Sequence, residues 1–386
     1  MTLLVTVTGK DQRGVTSRLM DVLTAHAAEV RDVEQVVVHG QLLLGVVITG
    51  EGDGAEVQAA LVAALPTLRL EFTPLVDEVF ARQVRHHVTV LAAPLPPSAL
   101  AAITRRLAQC GANIERVVRL SSYPATAYEL IVAGGDTARL RAELAQEAVT
   151  QKVDVAVEVA SLYRRARRLV VMDVDSTLVQ GEVIEMLAAE AGCEAEVARV
   201  TRAAMAGELD FEASLRARVA LLAGLPVASV DRVRAAVQLT PGARTLVRTL
   251  KRLGYAVGIV SGGFTAVTDD LATELGLDHA LANVLEVSDG HLTGRVVGAV
   301  VDRAGKAEAL RRFAALEGLT MAQTVAIGDG ANDLDMLAAA GLGIAFNAKP
   351  IVREAAHAAL STPYLDTVLY LLGITRDEVE TADAQS

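Results

Sequence analysis

Two aspartates one residue apart, Asp173 and Asp175, close a short apolar run, Leu-Val-Val-Met, at 169–172. The run is rich in β-branched residues and has no helical period, so it reads as a buried strand of a parallel sheet. A buried carboxylate costs several kcal/mol unless a cation or donors compensate it. Two of them at the carboxyl end of a strand, where open α/β sheets bind ligands, ask for a metal or a shared chemical task. The plainer alternative is that Asp173 and Asp175 end a strand and cap the helix that follows.

Three further stretches bear on that choice. The apolar run 256–260 leads into Ser261-Gly262-Gly263, a turn whose glycines let backbone N–H groups approach an anion. Lys306 sits in Ala304-Gly305-Lys306-Ala307, ahead of a helical run at 308–316. The apolar run 324–327 ends in Gly328-Asp329-Gly330-Ala331-Asn332-Asp333. Taken singly, the Ser-Gly-Gly stretch is an ordinary turn and a lysine at a helix start is ordinarily solvated. The acidic cluster is more specific, because carboxylates gathered at a strand end suit a hard cation.

In this order, Asp173-Val174-Asp175-Ser176-Thr177-Leu178, Ser261, Lys306 and Gly328-Asp329-Gly330-Ala331-Asn332-Asp333 resemble the four motifs of the haloacid-dehalogenase-like phosphatases. The segment between the first two motifs, with Val179-Gln180-Gly181-Glu182 and 205–219, is similar to the cap of one subfamily, the phosphoserine phosphatases. That resemblance implies a nucleophile at Asp173 and a general acid/base at Asp175. It implies Mg²⁺ held by Asp173, the Asp175 backbone carbonyl and Asp329, with Asp333 outside the first ring of ligands. Phosphate oxygens would fall to Ser261, Gly262 and Lys306, and Asn332 would orient substrate or phosphate. Glu182 would meet the substrate ammonium and Arg218 its carboxylate, under an apolar lid of Met205 and Phe211. Without the resemblance, Glu182 and Arg218 read as surface charges on helices, and Met205 and Phe211 as cap core.

The rest of the chain must hold these residues. Its 386 residues, 52% hydrophobic and 22% charged, suit two or three domains with sizeable cores. Between 178 and 239 four amphipathic helices follow one another with no strand among them (182–191, 194–204, 211–222, 227–237). They read as a helical cap inserted into a Rossmann-like α/β core. Ahead of the core the order strand, helix, strand, strand, helix, strand occurs twice. Residues 28–33 (Ala-Glu-Val-Arg-Asp-Val) correspond to 112–117 (Ala-Asn-Ile-Glu-Arg-Val). Two ferredoxin-like βαββαβ units follow, and they resemble ACT domains, the amino-acid-sensing modules of metabolic enzymes. The expected boundaries are 1–80 and 85–160 for these units, 161–372 for the phosphatase domain with its cap at about 180–240, and 373–386 for a flexible tail. The four arginines at 164, 165, 167 and 168 read as a solvated junction.

In the first unit, Gly9-Lys10-Asp11-Gln12-Arg13-Gly14 is similar to the ligand loop of ACT domains. Its glycines and helix start suit a carboxylate, and Asp11 suits an ammonium. A plain turn capped by Asp11 is the other reading. The second unit has Ala92-Ala93-Pro94-Leu95-Pro96-Pro97 in that place, with neither glycine nor acid. The net charge of −11 argues against nucleic acid and anionic membrane surfaces. Cys110 and Cys193 stand far apart without metal spacing, which suits a reducing compartment. No basic-then-apolar leader opens the sequence and no apolar run reaches membrane-spanning length. The expectation is therefore a cytoplasmic, Mg²⁺-dependent, homodimeric enzyme hydrolysing O-phospho-L-serine and restrained by L-serine at the ACT region. The alternatives are a phosphatase of another small phosphomonoester and an amino-acid sensor with a silent phosphatase core.

Overall fold

Strict alternation builds the first of two compact units, Met1–Arg82. The computed structural model describes residues 1–76, 83–205 and 208–385, the side chains of Tyr163 and Met205 excepted. The expected boundary at residue 80 falls outside them. Strands β1 (Thr2–Lys10), β2 (Glu29–Val38), β3 (Gln41–Thr49) and β4 (Arg69–Pro74) form an antiparallel sheet in the order β2-β3-β1-β4. Every second residue of β1 and β3 is buried, so Val5, Val7, Val46 and Ile48 meet Leu19, Leu23 and Leu61 of the helices Val15–Ala25 and Ala55–Ala64. His39 and Gly40 join β2 to β3 with positive φ at both positions (46° and 76°), the backbone a tight hairpin turn requires.

The second unit, Gln83–Ser386, repeats that βαββαβ order in β5 (Arg85–Ala92), β6 (Ala112–Ser121), β7 (Thr126–Gly134) and β8 (Asp154–Val159), then adds a parallel core. Core strands are β9 (Leu169–Met172), β10 (Ala256–Phe264), β11 (His279–Ser288), β12 (His291–Val297), β13 (Thr324–Gly328), β14 (Leu342–Phe346) and β15 (Ala358–Leu360). All four residues of β9 are buried, and β9 lies parallel between β10 and β13 at the middle of the core. The two sheets are one. β15 pairs antiparallel with β8 at Ala358 and Ala156, giving eleven strands in the order β12-β11-β10-β9-β13-β14-β15-β8-β5-β7-β6. Ser361 N–H donates to Asp154 Oδ2 across that seam (2.6 Å). On one face Leu91, Leu120, Ala127 and Ala156 share a hydrophobic cluster with Leu369, Tyr370 and Leu371.

The basic junction differs from its expectation. Arg165 and Arg168 are exposed, but Arg167 is buried and paired with Glu158 (2.6 Å), and Arg164 pairs with Glu129. Glu129 and Glu158 lie on the sheet face that turns toward the core, so the guanidinium groups neutralise charges that face would otherwise bury alone.

Four helices, Val183–Ala191, Glu194–Met205, Phe211–Ala220 and Val227–Ala236, intervene between β9 and β10 as the helical cap. The cap leaves and rejoins the core as two short antiparallel segments bridged at Val179 and Leu239. Thr240 ties the return to the first motif, its N–H donating to Leu178 O (2.9 Å) and its hydroxyl to Thr177 O (2.7 Å). The stretch read as a flexible tail holds a helix, Arg376–Ala384, with a Thr375/Glu378 capping box. Val379 of that helix is buried, and Asp383 pairs with Arg248 and Arg252 of the core.

Candidate active site

Asp173 follows the last residue of β9 and is 3% exposed. Its Oδ1 accepts from Val174 N–H (2.7 Å) and from Lys306 Nζ (2.7 Å). Lys306 is fully buried in the first turn of the helix Arg303–Leu316, and its ammonium also reaches Asp333 Oδ1 (2.7 Å). Asp333 Oδ2 accepts from Gly330 N–H (2.9 Å), so both its oxygens are engaged. Only glycine fits at 328, because a Cβ there would lie 2.4 Å from Asp333 Cγ. After Asp173 the chain turns irregularly through residues 174–178, with Ser176 at φ 59°. That turn brings Asp175 back beside β10. Asp175 Oδ1 accepts from Val183 N–H (2.8 Å) and Oδ2 from the Ser261 hydroxyl (3.2 Å).

One buried ammonium among this many carboxylates leaves negative charge in excess. Burial, then Asp333, pushes the Asp173 carboxyl well above the usual range against the pull of Lys306. Burial also raises Asp175, and burial with the Asp333 charge lifts Asp329 to about 6. Burial works against the charge on Lys306, yet Asp173 and Asp333 hold its pKa above the ordinary value. Asp173, Asp329 and Asp333 each offer an oxygen, and these atoms lie within 4.8 Å of one another. A cluster of hard oxygen donors with surplus negative charge fits a divalent cation such as Mg²⁺.

Glu182 and Arg218 bring opposite charges to the cap side. Burial, then the Asp175 charge, pushes Glu182 up to about 7, and its Oε1 accepts from the Ser176 hydroxyl (3.1 Å). Burial lowers the pKa of Arg218, while Glu182 and Asp175 act to raise it. Among the described residues no ion pair within 4.0 Å joins Arg218 to an acid. The Phe211 ring stands over the Ser261-Gly262-Gly263 turn, since a Cβ on Gly262 would lie 3.0 Å from Phe211 Cζ.

This geometry has relatives. The profile of haloacid dehalogenase-like hydrolases matches residues 170–338, and two ACT-domain profiles match 1–74 and 84–158. A phosphoserine phosphatase of Streptomyces coelicolor is 60% identical over 387 residues, covering 99% of this chain and 94% of that protein. The phosphoserine phosphatase SerB2 of Mycobacterium tuberculosis is 52% identical over 392 residues, covering 100% and 96%. The chain belongs to the phosphoserine phosphatases of the haloacid-dehalogenase-like superfamily. Among solved structures, the phospho-aspartyl intermediate analogue of a phosphoserine phosphatase matches with a TM-score of 0.51 and 46% identity, covering 53% of this chain and 98% of the other.

Within this phosphoserine phosphatase chain, the structure brings Asp173, Asp175, Ser261, Lys306, Asp329 and Asp333 together. Asn332 closes over Gly330, whose Cβ, if present, would lie 2.1 Å from Asn332 Oδ1. The Met205 side chain lies outside the described residues. In the first unit, described by itself, Gly9 (φ 147°) packs against Leu68 and Gly14 (φ 81°) starts the helix Val15–Ala25. Asp11 is exposed between them, its N–H donating to Gly40 O (2.9 Å). Sequence reasoning passed over Thr177, whose hydroxyl donates to Asp329 Oδ1 (3.3 Å), and Ser176, which holds Glu182. Both lie within the first motif, and that was the available signal. It also passed over Asn283, whose only mark in the sequence is an amide inside the strand pattern that opens the stretch 279–301.

Proposed function

We propose that this phosphoserine phosphatase is Mg²⁺-dependent and works through an aspartyl-phosphate on Asp173. The observation that carries the proposal is the placement of both donors to Asp173 on Oδ1, which leaves Oδ2 free of hydrogen-bond donors among the described residues. A buried carboxylate held on one oxygen and free on the other is a positioned nucleophile. Its Oδ2 attacks phosphorus as the bond from phosphorus to the serine oxygen breaks. Asp175, whose raised pKa favours the protonated form, gives its proton to the departing oxygen. Asp175 then takes a proton from the water that attacks phosphorus, and Asp173 is released.

Asp173, Asp329 and the Asp175 carbonyl would hold Mg²⁺, with Asp333 committed to Lys306 and Gly330 outside them. When bound, the ion supplies positive charge that offsets the phosphate dianion approaching an anionic carboxylate. Ser261, Gly262 N–H and Lys306 take the phosphate oxygens, and Asn332 orients the group. Glu182 meets the ammonium and Arg218 the carboxylate, while the cap excludes water with Phe211 and Met205 over the small side chain. L-Serine binding at the loop of Gly9, Asp11 and Gly14 restrains turnover. All ten positions of the edge strand β2 are exposed, including Val30, Val33, Val36, Val37 and Val38, which suits pairing with a second copy in a homodimer. Cys110 and Cys193 are unpaired, in keeping with a reducing cytoplasm.

The test is phosphate release from a panel of phosphomonoesters with and without Mg²⁺, and with and without L-serine. O-phospho-L-serine should lead the panel, Mg²⁺ removal should abolish turnover, and Asp173→Asn should remove both turnover and a hydroxylamine-sensitive phosphoenzyme. A flat panel would end the roles given to Glu182 and Arg218. Serine inhibition that persists unchanged in a fragment of residues 83–386 would remove the loop of Gly9, Asp11 and Gly14 from that effect.

A further inference from the structure

Asn283 is a buried amide, 1% exposed, to which the reaction described above gives no task. It lies on β11 next to the phosphate turn. β10 and β11 run parallel in register at Val260 and Leu281 and again at Phe264 and Asn283, four residues on one strand against two on the other. Ser261, Gly262 and Gly263 therefore bulge out of the ladder, and a bulge strips backbone groups of their partners. Asn283 replaces one of them: its Nδ2 donates to Gly262 O (2.8 Å), while its Oδ1 accepts from Val301 N–H (2.8 Å). Val301 immediately precedes Asp302, the cap of the helix that carries Lys306.

The carbonyl of Gly262 and the N–H of Gly263 are two ends of one peptide unit. That N–H donates to Ser261 Oγ (2.7 Å), and the Ser261 hydroxyl donates to Asp175 Oδ2 (3.2 Å). The hydrogen bonds thus run in a single direction, from Val301 N–H through Asn283, the peptide and Ser261 to Asp175. Chains aligned this way polarise one another and fix every member's orientation.

We propose that Asn283 is a positioning residue for the reaction. It sets the rotation of the Gly262–Gly263 peptide and, through it, the position of Ser261 Oγ beside Asp175 Oδ2, which aims the Asp175 carboxyl at the departing oxygen. The proposal rests on the role given to Asp175 above. A residue that merely stitched β11 to its neighbours would change folding, or would slow all substrates alike. A residue that aims the general acid matters most where the leaving oxygen needs a proton.

The experiment compares kcat/KM, which reports formation of the phosphoenzyme, for O-phospho-L-serine and for p-nitrophenyl phosphate, whose leaving group departs unprotonated. The full-length, Mg²⁺-loaded enzyme is used, and thermal melting establishes that each variant is folded. Asn283→Leu keeps the size and removes both hydrogen bonds. Asn283→Thr suits a strand but is too short to reach Gly262 O, and it decides the matter if the leucine variant does not fold. The expected loss is about thirtyfold or more on O-phospho-L-serine, part of the roughly 10²–10⁴ that a positioned acid supplies, against about threefold or less on p-nitrophenyl phosphate. Equal losses on the two substrates in a folded variant, or no loss on either, overturn the proposal. Asp175→Asn separates the two layers. If it shows the split and a folded Asn283 variant does not, the assignment of Asn283 alone falls. If Asp175→Asn shows no split, the role of Asp175 fails, and the proposal fails with it.

Discussion

Glu182 shows how burial sets chemistry one residue at a time. In water its carboxyl would be ionised at neutral pH. Here burial first, and the Asp175 charge second, push it up to about 7. In the role proposed for Glu182, the substrate ammonium needs the carboxylate form, so below that pH substrate binding must first drive off a proton. KM for O-phospho-L-serine should therefore fall as pH rises through about 7 and level off above it. Glu182→Gln should flatten this limb and, on the scale of about 1.5–3 kcal/mol for a hydrogen bond to a charged group, raise KM at pH 8 by roughly tenfold to a hundredfold. Steady-state kinetics across pH 6–9 would show it, and an unchanged limb in the variant would remove Glu182 from the ammonium site. The same shift acts on the ligand-free fold. A raised carboxyl pKa gives stability below the unfolded value that is lost as pH rises, so Glu182 contributes a decline between about 4.5 and about 7.

Among the elements, the helix Arg303–Leu316 carries Lys306 in its first turn, where helices fray most readily. Asp302 holds that end, its carboxylate accepting from Gly305 N–H (2.8 Å). Asp302→Ala should cost about 1 kcal/mol, the usual worth of such a cap, and lower the melting midpoint by roughly 2–4 °C on the scale of a domain of this kind. Asp302→Ser, which restores a capping oxygen, should recover most of that loss by calorimetry. If the serine and alanine variants melt alike, the cap is not what secures this helix. The helix was legible in the sequence because Lys306 preceded a continuous helical run. So were β9 and β13, as short apolar runs ending in acids, and the cap, as helical periods without a strand. The bulge at Ser261, Gly262 and Gly263 was not. It is a mismatch between two strands, β10 and β11, and one strand's sequence carries no record of its neighbour's register. Asn283 is invisible for the same reason, since its value lies in the carbonyl that the mismatch leaves open.

At the scale of the molecule, the second ACT unit is built into the catalytic sheet through β8 and β15. The sequence concealed this because the joined face mixes Thr89, Glu129 and Glu158 with its apolar residues, a pattern that marks no second buried side, yet all three are buried. Arginines neutralise that face. Arg164 answers Glu129 and Arg167 answers Glu158, and the run that looked like a solvated linker is part of the packing. Beside them Leu91, Leu120 and Ala127 lie in one cluster with Leu369, Tyr370 and Leu371. A buried ion pair adds little net stability, but breaking one by removing a partner costs about 3–5 kcal/mol where the remaining charge stays buried. The apolar cluster loses its cover at the same time. A fragment of residues 83–386 and one of 161–386 contain the same catalytic residues and the same cap. The longer fragment should melt in one cooperative transition with the ACT strands and the core unfolding together. The shorter should melt at least several degrees lower, or aggregate through the bared edge of β15. Double substitution Glu129→Gln and Glu158→Gln in the longer fragment should move its midpoint toward that of the shorter, because it strands Arg164 and Arg167 without removing any strand. Equal midpoints for the two fragments would mean that the shared sheet carries no stability across the seam, and that any signal from the second ACT unit must reach the active site by another route.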